Sequence, residues 1–313
     1  MTRRSSRTLR SAPVLALFFV TACGRGTKLP AADAPGEKAQ VVARIGAESR
    51  LENPRAVAVD AQKNVWVADS GNARILKFDP SGKELLVVGR KGTGEGEFQN
   101  PWWAALDEKG RIFVVDPQTG WIQGFGSDGK LAARLGGPTS GLYGPQGIAV
   151  GKDGTVLVAD TGGNRIVRYA EDGTQKGSPW TSVGKRNLSQ PTDVVLDGKG
   201  GVLIVALPEK GSTPAILKAR ESGEAAGEWE APAPPSTRDS VRVAPAPDGR
   251  VYATDPERKR LLVYSADGGT IRQLVLPAET FRALGGGIAV DADGFLYVAD
   301  PVGNVVLKIQ IAK

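Results

Sequence analysis

The chain has 313 residues, 41% of them apolar and 24% charged, with 41 glycines, six tryptophans, one cysteine and no histidine. That composition suits a folded chain with a sizeable core, and the glycines with many short Val/Ile/Leu runs point to a turn-rich all-β fold. The missing histidine excludes Ser-His-Asp hydrolysis, Cys-His chemistry and histidine-ligated zinc, and the lone cysteine excludes a disulfide framework.

The chain opens "MTRRSSRTLRSAPVLALFFVTACGRG", with arginines at 3, 4, 7 and 10 before an apolar run from Ala12 to Ala22 that is too short to span a bilayer. This is the layout of an export signal. Val20, Thr21, Ala22 and Cys23 resemble the bacterial lipobox, which implies cleavage before Cys23 and acylation of its thiol. "TRRSS" hints at twin-arginine export, but the apolar residues that should follow the pair are missing. The expectation is an exported bacterial lipoprotein anchored to the membrane through Cys23. Gly24 lacks the aspartate that holds many such proteins at the inner membrane, so an outer-membrane or periplasm-facing site is expected. Without residues 1–22 the chain carries 36 basic against 34 acidic residues, a net charge of +2, so no nucleic-acid partner is expected. Residues 23–37, rich in Gly, Ala and Pro, read as a flexible tether ahead of a single domain over 38–313.

From Asn53 onward the chain repeats itself. "NPRAVAVDAQKNVWVADSGNARILKF" is followed by related stretches starting at Asn100, Gly144, Gln190, Asp239 and Gly285. Anchored on Pro54, Pro101, Pro145, Pro191, Ser240 and Gly285, the copies are spaced by 47, 44, 46, 49 and 45 residues. In five of the six copies an aspartate falls fifteen residues after the anchor: Asp69, Asp116, Asp160, Asp255 and Asp300. Ala206 takes its place in the fourth. Each copy holds a first run such as "AVAV", a Gly/Asp turn, a second such as "VWVAD", a third such as "RILKF" and usually a fourth such as "LLVVG". Four short strands in a repeat of this length make one propeller blade, and six copies make six. The last copy stops after its third run, while "KAQVVARIG", 38–46, looks like the missing fourth. Gln40 to Ile45 is therefore predicted to pair with the last blade and close the ring, which protects its edge strands.

These repeats resemble NHL repeats, most clearly in "DSGNARILKF" and "DTGGNRIVRY". The resemblance covers about 38–313 and implies an all-β, six-bladed β-propeller that binds a partner on one face. Several enzymes on related propellers, the peptide-amidating lyases and paraoxonases among them, depend on histidine, which this chain lacks. The gluconolactonase type binds a divalent cation at the axial mouth. A calcium-dependent lactonase or hydrolase is therefore the alternative, with Glu52 and Asp193 as its acids. Their bland readings are a rim charge and a local turn bond. Otherwise no cofactor and no catalytic residue are expected.

The aspartates pair, five residues on, with Arg74, Arg165 and Arg260, and the favoured reading is structural: the carboxylate organises a turn and the arginine braces it. On the top face, where anchors and second-to-third-strand loops meet, blade 2 carries Trp102, Trp103 and, in the slot of those arginines, Trp121. With Arg55, Gln146, Asp193 and Arg242 they form the candidate surface for an envelope protein, peptide or glycan, bound by a monomeric propeller. The competing reading has the tryptophans filling seams between blades. "RKGTGEGEFQNPWW", 90–103, looks like a phosphate loop but lies between two strands instead of a strand and a helix, so its glycines read as connection.

Overall fold

The computed structural model describes residues 28–31, 34–208, 213–237, 239–277 and 279–312. The predicted signal, 1–22, and Cys23 lie outside the described residues, as does 209–212 in the enlarged loop of repeat 4.

Repeat 1 sets the pattern. Pro54, with no N–H to donate, opens strand Pro54–Val59, and Val65–Asp69, Arg74–Phe78 and Glu84–Val88 follow in one antiparallel sheet in that order. The turn between the first two strands closes on its own Asp60, whose carboxylate accepts from the backbone N–H of Gln62 and Asn64 at 3.0 and 2.8 Å. Asp107, Asp197 and Asp291 do the same in repeats 2, 4 and 6.

The strand "VWVAD" is buried at all five positions, as are its counterparts "IFVVD", "VLVAD", "VYATD" and "LYVAD". A strand loses its polar alternation when both faces are covered. Here each sheet is covered by its two neighbours, and six apolar clusters fill the seams. Phe98, Ile112 and Val114 meet Ala68 and Ile75 between repeats 1 and 2, while Tyr297 and Ala299 meet Val65 and Phe78 between repeats 6 and 1. The first strands of successive repeats touch in a closed round. Ala58, Ala105, Ala149, Val195, Ala244 and Ala289, four residues after each anchor, line a cavity of about 290 Å³ on the axis. Trp66, in the column of core residues one strand out, is 1% exposed and packs. The fold is an all-β propeller.

The N-terminal strand closes it. Glu37–Ile45 runs antiparallel to Val305–Ile311, from Ala39 opposite Ile311 to Ile45 opposite Val306. Glu37 and Lys38 also pair in parallel with Leu274 and Val275 of repeat 5, so one strand staples two blades.

The tether expected over 23–37 is not free over its described part. Leu29 packs against the seam of repeats 4 and 5, Arg260 Nη1 donates to the carbonyls of Pro30 and Ala31 at 2.8 and 3.2 Å, and the Gln273 amide donates to that of Ala34. A Pro/Ala-rich segment has unpaired carbonyls, and these side chains of blade 5 satisfy them. The fourth strand expected of repeat 3 is also missing as a regular element: only isolated bridges, Ile166 with Trp180 and Tyr169 with Gln175, cover that edge. Gly177, with φ at 63°, and Pro179, which has no N–H, break the ladder there.

Candidate binding site on the top face

The repeated aspartates are latches. Asp69 is fully buried. One of its oxygens accepts the N–H of Glu52 at 2.6 Å and the other accepts Asn72 Nδ2 at 2.9 Å and Arg74 Nε at 2.7 Å. Asp160 repeats this with the N–H of Tyr143 at 2.6 Å and Arg165 Nε at 2.7 Å, and Asp255 holds Arg260 Nε at 2.8 Å. Asp116 and Asp300 have no arginine and take only backbone N–H groups, those of Gln99, Asn100, Gln118 and Thr119 and those of Arg282, Ala283 and Gly303. In four blades the carboxylate thus pins the strand end to the incoming loop from the preceding blade. Asp160→Ala is expected to cost about 2–4 kcal/mol in urea unfolding, since it removes two charge-assisted bonds to a buried group. A loss within experimental scatter would show that the latch carries no load.

The predicted tryptophan pair is buried, which corrects the expectation of exposed aromatics there. Trp102 and Trp103 are each 5% exposed and stack on one another, with ring centroids 5.4 Å apart and planes at 11°. Alternation along a strand would send them to opposite faces. Instead the Trp102 N–H donates to Val115 O while Trp103 pairs with Val115, so two residues oppose one and the bulge turns both rings the same way. Register shifts at the same place in repeats 1, 3 and 4 show that the bulge belongs to the repeat.

Arginines cap both ends of the stack. The Arg55 guanidinium lies 4.7 Å from the Trp102 ring, and that of Arg242, from the opposite side of the ring of blades, lies 4.2 Å from Trp103. Arg55 also bonds Asp239 at 2.9 Å, past blade 6, where Gly285 leaves room: a Cβ there would stand 2.3 Å from the Asp239 carboxylate. Arg242 is 2% exposed, donates to Ser240 Oγ, and burial pushes its guanidinium down to about 10. Asp193 is 5% exposed, and burial pushes its carboxyl up while the Arg242 charge pulls it back. Its oxygens accept the N–H of Val243 and of Val194, each at 3.0 Å. The mouth is therefore plugged by Arg55, Trp102, Trp103, Arg242 and Asp193, all drawn from the predicted surface but lying beneath it.

Asp193 is thus engaged by blade 5, whereas Glu52 is exposed on the rim against Gly71. Among the described residues no three His, Cys, Asp or Glu side chains gather closely enough to hold a metal. The glycine-rich loop holds its own anion: Glu97 accepts the Gly94 N–H at 3.0 Å and pairs with Arg90 at 2.9 Å, and these lower its carboxyl. Gln123 clips the loop to blade 2 through Gly96 N–H and Glu97 O.

Two of the predicted residues, Trp121 and Gln146, line an open groove of about 820 Å³ between blades 2 and 3. Trp121 pairs with Asp116 as Arg74 pairs with Asp69, and its ring is held between the Arg134 guanidinium, 3.8 Å away, and the backbone at Gly137. Facing it is Tyr143, 73% exposed, which the sequence reading passed over. Its N–H is latched to Asp160 and its carbonyl accepts the Gly162 N–H at 2.8 Å, while its ring lies so close over Gly162 that a Cβ there would meet it at 2.0 Å. The column two before the anchor reads Glu52, Gln99, Tyr143, Ser189 and Ala283 in repeats 1 to 4 and 6. An aromatic at that latched, outward position was the available signal.

The NHL repeat model matches residues 51–78 and 142–169, which run from the loop before the anchor to the third strand in repeats 1 and 3. These two stretches match NHL repeats. The chain is similar to Protein brain tumor of Drosophila melanogaster, 29% identical over 128 residues, which are 40% of this chain and 12% of that protein. The matched region is therefore a small part of that relative. Among solved structures, a streptogramin B lyase superposes with a TM-score of 0.59 at 14% identity, over 86% of this chain and 97% of the other. An inactive variant of virginiamycin B lyase from Staphylococcus aureus, with a histidine replaced by alanine and quinupristin bound, superposes with a TM-score of 0.60 at 17% identity, over 86% and 87%. At these identities the likeness is one of fold.

Proposed function

We propose that this NHL propeller is a non-catalytic binding module that holds a partner of the cell envelope on its top face, in the groove between blades 2 and 3, and is anchored by lipid on Cys23. The observation that carries the reading is the groove itself: an aromatic, Tyr143, stands exposed in the same groove as Trp121, on a face whose loops are latched in place. Aromatic anchors on a preorganised surface are what recognition sites use. Catalysis is the weaker reading. The similar lyase loses activity with a histidine, and these 313 residues hold none.

The test is capture from envelope extracts with the detergent-solubilised full chain. A partner is expected on the parent protein and absent from Trp121→Ala/Tyr143→Ala, and an unchanged set of partners would overturn the site. In parallel, the parent is expected to incorporate labelled palmitate and Cys23→Ser is not; no label on the parent, or equal label on the variant, would overturn the anchor.

A further inference from the structure

We infer that the groove between blades 2 and 3 is a binding site for a neutral oligosaccharide. This rests on the binding reading above and names the chemistry of its ligand.

Charge decides first. In a chain with 24% charged residues, the described residues that line the groove include no Asp, Glu, Lys or Arg. They include four glutamines, Gln99, Gln118, Gln146 and Gln190, four threonines, Trp121 and Tyr143. The bordering arginine, Arg134, is already stacked on Trp121 and donates to the Thr93 carbonyl, so the lining itself offers an ionic ligand no free counter-charge and favours an uncharged occupant.

The second argument concerns which groups are left to bind. Main-chain donors of at least five lining residues are already engaged: Gln99 N–H by Asp116, Gly120 N–H by Asp116 O, Gly137 N–H by Gly120 O, Tyr143 N–H by Asp160 and Gly162 N–H by Tyr143 O. Pro117, Pro138 and Pro145 have none. An extended peptide reads a site chiefly through a main-chain ladder, and the engaged donors leave no continuous run of N–H groups for one. The side-chain amides are in the opposite state. None of the four glutamine side chains is bonded to another described residue, and Gln146 Oε1 is buried without a partner among them. Each amide both donates and accepts, as each sugar hydroxyl does, so the two sets match without any charge. The ring of Tyr143, seated on Gly162 with its outer side in solvent, offers the flat apolar platform against which the C–H face of a pyranose stacks. The groove is also within the size range of small-molecule sites.

The test is titration calorimetry on the full chain with hexasaccharides of glucose (α-1,4 and β-1,4), mannose and N-acetylglucosamine, beside hexagalacturonate and a neutral proline-rich decapeptide. At least one neutral hexasaccharide is expected to bind in a manner insensitive to salt. Tyr143→Ala and Gln118→Ala, both exposed sites whose variants should melt with the parent, are each expected to weaken it about tenfold, while Tyr143→Phe retains it. Binding of hexagalacturonate or of the peptide in place of the neutral sugars overturns the inference. So does no sugar binding, or sugar binding indifferent to both alanine variants. Should envelope capture still depend on Trp121 and Tyr143 while no neutral sugar competes, the oligosaccharide inference fails and the binding module stands.

Discussion

Deleting residues 37–45 is expected to lower the melting temperature by roughly 10–20 °C and to make the protein self-associate. This strand pairs at six positions with Val305–Ile311 and at two more with blade 5, and it carries Ile45, 2% exposed, into the seam between blades 6 and 1. A net hydrogen bond is worth about 0.5–1.5 kcal/mol and a buried Ile about 1.5–3, so the strand contributes on the order of 5 kcal/mol or more. Domains have only about 5–15 kcal/mol in all, and at this size each kcal/mol moves the melting point by about 2–4 °C. Deletion also bares the apolar edge Val305–Ile311, a template for another chain. Calorimetry and sedimentation velocity check both effects, and a peptide of residues 37–45 added in trans is expected to restore the melting point. A monomer that melts with the parent would mean that the ring holds without its staple.

The fold was legible because the information is periodic. Each repeat encodes one sheet, and the anchors, turn aspartates and apolar runs of the second strands recur at fixed offsets, so Gln40 to Ile45 was recognisable as the strand the last repeat lacks. The slot shared by Trp121 with Arg74 and Arg165 was legible for the same reason. What the period does not carry is the meeting of side chains from different blades. Trp103 and Arg242 lie far apart in sequence and touch only because opposite blades converge at the axis, and no offset within a repeat predicts that. The bulge that stacks Trp102 on Trp103 was also hidden. A one-residue slip changes which side a chain presents, and composition is blind to it. Tyr143 sits in a column whose residue type changes from repeat to repeat, so no period marks it. The docking of Leu29 and Ala34 was hidden because a Pro/Ala-rich segment has no apolar period to announce it.

Replacing Arg242 by alanine is expected to remove about 3–5 kcal/mol at neutral pH and clearly less near pH 4. Arg242 is still cationic at pH 7, because burial lowers its guanidinium only to about 10, and its charge faces the buried carboxylate of Asp193. Burial raises the Asp193 carboxyl above its ordinary value. The folded protein therefore holds that proton more tightly than the unfolded chain, and stability falls as pH climbs from the ordinary carboxylate value through the raised one. Without Arg242 the main restraint on that rise is gone, the window extends upward, and the loss at pH 7 deepens. As pH falls toward the ordinary carboxylate range Asp193 takes up its proton in both proteins, so the gap between them narrows. Urea unfolding at the two pH values reads this directly. Adding Asp193→Asn to Arg242→Ala is expected to recover much of the pH 7 loss, because the neutral amide no longer needs a counter-charge. A gap that stays the same at both pH values, with no recovery in the double variant, would assign the whole cost to the lost face of Trp103 and leave the charge pair without a part in holding the mouth closed.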